Sequence, residues 1–464
     1  MNINQNRIIP HRITILGIAR SGIAAAKLAL SHGAEVFISD SCPNDRMDFI
    51  LASNGLSHVA HEAAGHTKRV LESDLIVLSP GIPKSIPIVQ QARAKGVAVW
   101  SEIELAYRFA KAPFLAVTGS TGKSTTVSLL GAILQTAQLP SVVAGNIGLP
   151  LSAVVESIPE NGFIVAEVSS FQLETIDRFR PHAAAVLNLF KNHLDRYESE
   201  EHYYNAKKEL TRNMQSSDTL VLNSQDSRLR KWAQELGSRV DVVLFGGRSK
   251  EYTCFWHDGE KMWRNAGGIS EQIVSLSEMK LAGKHNYDNA CAAAALAWAA
   301  GLSKAQIARG LSSFSGLAHR LEYVACIENV RYFNDSKATT AESVISAVSA
   351  FENNVIVIAG GKDKGCDFAA ARNAIARHVK CAVLIGEAAG RIAREWKGAT
   401  EVKQAHTLEE AVAVASSCAQ SGDVVVMSPG CSSFDMFSSY EQRGEEFIKS
   451  VKNLNKRDPG GKKA

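Results

Sequence analysis

Short apolar runs alternate with stretches of helical periodicity along most of this chain. Ile13-Thr14-Ile15-Leu16-Gly17, the apolar positions of residues 24–30 and Glu35-Val36-Phe37-Ile38-Ser39-Asp40 predict a strand, a glycine turn, a helix and a second strand. Further strands are expected at 75–78, ending in Ser79-Pro80-Gly81, and at 96–100, ahead of a helix over 102–110, and Pro113 marks a boundary. A second unit starts with Phe114-Leu115-Ala116-Val117, adds strands at 163–168, 183–189 and 219–223, and ends in an alanine-rich helix over 286–300. Residues 314–317, Phe-Ser-Gly-Leu, read as a linker. Beyond them, buried-strand runs at 354–359, 381–385 and 423–428 are separated by helical patterns. The alternation predicts an α/β protein of three domains in series, each with a parallel sheet, over residues 1–112, 113–316 and 317–464.

Composition narrows the class. With 45% hydrophobic and 21% charged residues and a formal net charge of +4, neither disorder nor a fibrous repeat is indicated. The basic end Lys456-Arg457-Asp458-Pro459-Gly460-Gly461-Lys462-Lys463 has no apolar periodicity and reads as a disordered tail, and no basic stripe with aromatics suggests nucleic acid. The eight cysteines contain no Cys-x-x-Cys pair, which argues against zinc and against a disulfide framework and for a reducing compartment. A signal peptide and a run of about 18 apolar residues are both lacking, so a cytoplasmic protein without membrane insertion is expected; it is separately expected to be a monomer.

The strongest chemical signal is Thr118-Gly119-Ser120-Thr121-Gly122-Lys123-Ser124-Thr125, which follows a strand and opens a helix. Its glycines let backbone N–H groups turn toward phosphate, Lys123 can reach the β and γ oxygens, and Ser124 or Thr125 can hold Mg²⁺. Only two residues separate the glycines, against four in the common P-loop. In the first domain Gly17-Ile18-Ala19-Arg20-Ser21-Gly22, with Asp40 closing the next strand, imitates a dinucleotide fingerprint, but Ala19 stands where a second glycine would admit a pyrophosphate. That leaves a structural turn or a cup for a uridine diphosphate. Glu167 ends one strand and His193 and Asp195 follow another, at the carboxyl ends where open α/β sheets place ligands, so they are candidate Mg²⁺ ligands. Lys207 and Lys208 are adjacent on a helical stretch, and chemistry alone assigns them no role.

These segments, with Gly145-Asn146-Ile147-Gly148, Glu167-Val168-Ser169-Ser170-Phe171-Gln172, Asn188, His193-Leu194-Asp195-Arg196 and Gly283-Lys284-His285-Asn286 with Asn289, resemble the Mur ligase family over nearly the whole chain. Gly316 to Glu322, Asn334-Asp335-Ser336-Lys337-Ala338-Thr339, Gly360 to Gly365, Ser428 to Asp435, Tyr440 and Arg443-Gly444 are similar to its glutamate-adding member. The resemblance implies a Rossmann-like N-terminal domain, a central P-loop ATPase-type sheet and a Rossmann-like C-terminal domain. It implies an ATP-dependent ligase that joins D-glutamate to UDP-N-acetylmuramoyl-L-alanine through an acyl phosphate, in peptidoglycan precursor synthesis.

The resemblance also distributes roles. Lys123, His193 and Lys207 would be catalytic. Gly119, Ser120, Thr121, Gly122, Lys123, Ser124, Thr125, Asn286, Asn289, Arg320 and Asp335 would bind ATP. Two Mg²⁺ sites would draw on Ser124, Glu167, His193 and Lys207, the last as a carbamate. Gly17, Ala19, Arg20, Asp40, Ser41, Ser79, Gly81, Asn146, Ser169 and Gln172 would bind the UDP-substrate. Thr339, Lys364, Ser433, Phe434 and Tyr440 would hold glutamate.

Two departures stand out: Phe190-Lys191-Asn192 replaces the family's Thr-x-Asp lead-in, removing an acid at 192, and Thr340 replaces an asparagine. The alternatives are a superfamily ligase acting on a folate or with L-glutamate, and a nicotinamide-dependent dehydrogenase built on residues 17–40. The last leaves the P-loop unexplained.

Overall fold

The computed structural model describes residues 10–190, 196–281, 283–351, 354–363 and 365–454. The basic tail at 456–463 and the candidate residues His193, Asp195 and Lys364 lie outside the described residues. Two compact units emerge, one of Met1–Leu276 with Asp288–Ser313 and one of Ser277–Tyr287 with Phe314–Ala464.

The first unit holds two sheets. One consists of β1 (Arg12–Leu16), β2 (Glu35–Ser39), β3 (Ala60–Glu62), β4 (Leu75–Leu78) and β5 (Ala98–Ser101), in the order β3-β2-β1-β4-β5 with every pairing parallel. The order reverses between β1 and β4, which opens a crevice at their carboxyl ends. The other sheet contains β6 (Phe114–Thr118), β7 (Ser141–Gly145), β8 (Phe163–Glu167), β9 (Ala183–Val186), β10 (Thr219–Asn223), β11 (Asp241–Phe245), β12 (Thr253–His257), β13 (Lys261–Ala266) and β14 (Ile269–Ser275). Its order is β14-β13-β12-β11-β10-β9-β6-β8-β7, parallel from β7 to β12.

The expectation of purely parallel sheets needs correction here, because β12-β13 and β13-β14 pair antiparallel. Their turns explain it. The Asp258 carboxylate accepts the N–H groups of Glu260 and Lys261 at 2.9 and 2.8 Å, closing the first hairpin. Gly267 and Gly268 both have positive φ, +58° and +82°, which a two-residue hairpin with right-handed twist requires.

The second unit is built on β15 (Glu322–Ile327), β16 (Val330–Asn334), β17 (Val355–Gly360), β18 (Val379–Ile385), β19 (Glu401–Gln404) and β20 (Val424–Met427), ordered β15-β16-β20-β17-β18-β19. All pairings are parallel except β15-β16, a hairpin at the edge. Apolar clusters cover both faces of this sheet, as its continuous Val, Ile and Leu runs require. Helix bounds shift by a few residues from the sequence expectation: the alanine-rich helix spans Lys284–Ala299 and the helix after the P-loop Lys123–Thr136.

Within the first unit one apolar core runs from the first sheet into the second through Phe109, Ala110, Ala112 and Phe114. Buried charge fixes the junction. Glu104, on the helix Glu102–Phe109, is fully buried and accepts the N–H groups of Asp177, Arg178 and Phe179 at 2.8 to 3.0 Å, and it pairs with Arg108 at 2.6 Å. Breaking such a pair costs about 3–5 kcal/mol, because the remaining charge stays buried. These bonds tie the helix after β5 to the segment that leads into β9.

Candidate active site

The P-loop leaves β6 at Thr118. Gly119 has φ +149°, and Gly122 has φ +82° in the left-handed region just before the helix Lys123–Thr136. A Cβ at Gly122 would collide with Oδ1 of Asn289, so the glycine lets the loop approach the helix Lys284–Ala299. This brings Asn289 beside the P-loop.

Cations and carboxylate meet at this loop. Lys123 Nζ donates to the carbonyl oxygens of Gly119 and Ser120 at 3.0 and 3.1 Å. Lys207, on the helix Glu200–Lys208, is 1% exposed and donates to the same Gly119 oxygen at 3.0 Å, with its ammonium 4.6 Å from the Tyr203 ring centre. Burial, and next the charge of Lys123, lower the Lys207 pKa to about 7. Glu167, at the end of β8, accepts from Ser124 Oγ at 2.8 Å and from Asn146 Nδ2 at 2.9 Å. Gly145 permits that contact, since a Cβ there would meet the Glu167 carbonyl. Thr125 is half-buried on the first helical turn.

Among the described residues no three His, Cys, Asp or Glu side chains cluster as a metal cage. One carboxylate beside one hydroxyl, at a phosphate loop, is the donor chemistry of a Mg²⁺ that keeps waters and shares the substrate's phosphates. Ser124 and Glu167 fit that ion.

Sequence reading gave Asn188 no role of its own, yet it shapes the loop. Its Oδ1 accepts the N–H groups of Ser120 and Thr121 at 3.0 and 2.9 Å, and its Nδ2 donates to the Thr121 carbonyl at 3.2 Å. Ser120 Oγ further donates to the Phe190 carbonyl at 2.9 Å and accepts the Phe190 N–H at 2.9 Å.

The assigned UDP-substrate residues gather at the strand ends. Gly17 has φ +94°, its carbonyl accepts Ser79 Oγ at 3.1 Å, and a Cβ on Gly22 would run into that carbonyl. The Asp40 carboxylate accepts the Ile18 N–H at 2.9 Å and the Cys42 N–H at 2.8 Å. Ala19, Arg20, Ser41 and Gly81 are exposed at the same ends. A groove of about 760 Å³ starts at Ala19 and Arg20 and runs along the helix Arg20–Ser31 toward Pro150 and Glu156. On the second sheet, Ser169 and Gln172 form a capping box that satisfies the start of a short helix, and Asn146 sits on Glu167.

Arg196, also without an assigned role, bridges the two groups. It donates to the carbonyls of Pro80 and Ile82 at 3.1 and 3.4 Å and stacks 3.9 Å from the Phe171 ring centre.

In the second unit, Asp335 at the end of β16 accepts from Ser428 Oγ at 2.9 Å and from the Leu321 N–H at 3.2 Å. Burial raises its pKa to about 7, against the pull of those bonds and of Arg320. Arg320 itself is exposed and Asn286 is buried. Ser433 is buried, Phe434 is 65% exposed, Thr339 is exposed, and Tyr440 is half-buried with its ring near His319 and the Lys337 ammonium.

Three family models match the chain: a Mur ligase MurD-like N-terminal domain over residues 11–101, a Mur ligase middle domain over 117–297 and a Mur ligase glutamate ligase domain over 319–431. The chain belongs to the Mur ligase family. A relative from Acidobacterium capsulatum, named UDP-N-acetylmuramoylalanine--D-glutamate ligase, is 40% identical over 438 residues, 94% of this chain and 95% of that one. One of the same name from Desulfitobacterium hafniense is 38% identical and covers 99% of this chain and 100% of its own. Among solved structures, MurF from Acinetobacter baumannii has a TM-score of 0.58 at 18% identity, covering 90% of this chain and 86% of its own. MurC from Thermotoga maritima has 0.56 at 20%, covering 96% and 99%. These structures share the fold. Family membership disfavours the dehydrogenase alternative.

Proposed function

We infer that the chain ligates D-glutamate to UDP-N-acetylmuramoyl-L-alanine at the expense of ATP, in the cytoplasm, as a step of peptidoglycan precursor synthesis. The observation that carries this reading is the meeting of Lys123 and Lys207 on the Gly119 carbonyl of a P-loop whose Ser124 rests on Glu167. It gains its substrates from the names of full-length relatives near 40% identity.

A carboxylate is a poor electrophile, so ligation needs its oxygen replaced by a better leaving group. Transfer of the γ-phosphoryl group of ATP to the substrate's terminal carboxylate gives an acyl phosphate and ADP. The amine then attacks the carbonyl carbon, and phosphate leaves with the amide formed. Negative charge grows on the moving phosphoryl group, and Lys123 is the fixed ammonium placed to stabilise it. The remaining backbone N–H groups of the loop and of the first helical turn would cradle the phosphates, while Asn188, by accepting the N–H groups of Ser120 and Thr121, holds the loop in shape. Mg²⁺, when bound, neutralises phosphate charge, and Ser124 and Glu167 would hold it.

Lys207 fits a carbamate. An amine with a pKa near 7 is substantially neutral at neutral pH, and the neutral amine is the form that adds CO₂. The product is an anion, and with His193 it would hold a second Mg²⁺. Asn286, Asn289, Arg320 and Asp335 would complete the ATP site. The UDP-substrate would lie over Gly17 to Arg20, Asp40, Ser41, Ser79, Gly81, Asn146, Ser169 and Gln172. Glutamate would be held by Thr339, Lys364, Ser433, Phe434 and Tyr440.

The test is phosphate release with ATP, Mg²⁺ and UDP-N-acetylmuramoyl-L-alanine, with D-glutamate, L-glutamate or no amine. Release that needs D-glutamate and vanishes in Lys123→Ala establishes the reading. Release with L-glutamate alone overturns the donor, and release with no amine tested overturns the ligase.

A further inference from the structure

Arg443 stands on the first turn of the helix Tyr440–Leu454 and is 1% exposed. Its Nε donates to Ser336 Oγ at 3.0 Å, and its Nη2 donates to the carbonyls of Ser336 and Cys431 at 2.8 and 3.1 Å. Its Nη1 is buried without a hydrogen-bond partner, facing Gly361, where an added Cβ would lie 3.1 Å from it. No carboxylate of the described residues bonds this guanidinium, and burial lowers its pKa to about 10 against the opposing pull of Cys431 and the Asp435 carboxylate nearby. A buried cation bonded only to neutral oxygens is costly, and packing alone would be served as well by an apolar side chain.

What it holds is specific. Ser336, Cys431 and Gly361 follow β16, β20 and β17, at the carboxyl ends where this sheet presents its ligand loops. Ser336 Oγ in turn donates to the Tyr440 carbonyl at 2.8 Å, and the Lys362 N–H to the Ser432 carbonyl at 2.9 Å. Of the described residues assigned to glutamate, each lies within three positions of a group in this network: Thr339 after Ser336, Ser433 and Phe434 after Cys431, and Tyr440 in it directly.

We propose that Arg443 is the positioning residue of the amino-acid site: from behind the loops it ties the ends of β16 and β20 together, packs against that of β17, and lends them a positive field that favours an anionic amino acid. The proposal rests on the reading that this unit receives glutamate. The guanidinium acts through the loops and does not touch substrate. Its planar fork matters as much as its charge, since one lysine ammonium cannot reach Ser336 and Cys431 along the same vectors.

The test is Arg443→Lys in the full chain, with KM measured separately for D-glutamate, ATP and the UDP-substrate. A parallel arm traps the acyl phosphate with hydroxylamine in the absence of glutamate; the hydroxamate forms as phosphate leaves, and this half-reaction does not use the amino-acid site. KM for D-glutamate should rise about tenfold to hundredfold, the loss expected for charge-assisted bonds. KM for ATP and the hydroxamate yield should stay near wild type. An unchanged KM for glutamate, or an equal rise in all three constants, overturns the proposal. If the lysine variant does not fold, Ser336→Ala decides: a smaller rise confined to glutamate supports it, and wild-type constants overturn it. Loss of glutamate dependence in the wild type itself would instead sink the functional reading.

Discussion

Glu102 gives a prediction whose size follows from its burial. It begins the helix Glu102–Phe109 directly after β5, is 1% exposed, and its Oε1 accepts the Ser152 N–H at 2.6 Å. Burial raises its pKa from 4.5 to about 7, with the Ser152 bond opposing part of the rise. The unfolded chain ionises this carboxyl near 4.5, whereas the folded protein resists ionisation until about 7. The folded state thus binds the proton more tightly, and the stability this supplies is complete below pH 4.5 and lost as pH rises through 7. At ~1.4 kcal/mol per pKa unit, the loss between pH 5 and pH 8 is about 2–3 kcal/mol.

Glu102→Gln removes the titration while keeping both features of the neutral acid, a carbonyl acceptor for Ser152 and a donor. The variant should therefore gain on the wild type as pH rises. The measurement is the urea dependence of hydrogen exchange in the helix Glu102–Phe109 of both proteins at pH 5 and pH 8, because several domains make a single global transition unsafe. The predicted result is near-equality at pH 5 and variant protection clearly above wild type at pH 8. A difference that does not change with pH, or a variant that loses ground at pH 8, refutes the reasoning.

Three further predictions bear on catalysis. Gly122→Ala places a Cβ on Asn289 and forces a left-handed φ on alanine, so it should cost about 1–3 kcal/mol of stability and raise KM for ATP, read by thermal melting and steady-state kinetics. Asn188→Asp keeps an acceptor for the Ser120 and Thr121 N–H groups but loses the donor to Thr121 and adds negative charge where phosphates bind. KM for ATP should rise at least about tenfold, with KM for the UDP-substrate little changed. Lys207→Arg cannot form a carbamate, so ¹³C-bicarbonate should label the wild type by NMR and leave the variant unlabelled and at least about a hundredfold slower; an unlabelled active wild type would remove the carbamate from the mechanism.

The fold was legible wherever periodicity was local. The alternation of apolar runs and helices located four of the five strands of the first sheet but four of nine in the second and three of six in the third, because only strands buried on both faces must be continuously apolar. The antiparallel end of the second sheet was readable in principle. Gly267-Gly268 lies between two short alternating segments, and Asp258-Gly259 precedes Lys261, both of them hairpin signals. They were passed over because β13 and β14 are polar and half-exposed, and so lack the apolar signature of their neighbours.

The site divides along a different line. Lys123, Ser124 and Glu167 were visible because the roles proposed for them, toward phosphate or metal, need particular chemistry at particular points of a motif. Asn188, Arg196 and Arg443 touch backbone instead, and any polar residue of suitable reach would look the same in sequence. Their partners lie 68, 116 and 107 positions away, at Ser120, Pro80 and Ser336. A residue that organises a loop is identified by what it reaches, and that is a property of the fold. The common element is a carbonyl or N–H at the carboxyl end of a parallel strand. Such ends carry backbone groups left unpaired where the ladder stops, and a ligand loop must present some of them to substrate while the others are satisfied from behind. Asn188 does this with an amide for the P-loop, Arg196 with a guanidinium for residues 80–82, and Arg443 with a guanidinium for residues 336 and 431. Each is therefore expected to change one substrate's KM when mutated, the one whose loop it backs, and that selectivity separates them from side chains that only fill the core.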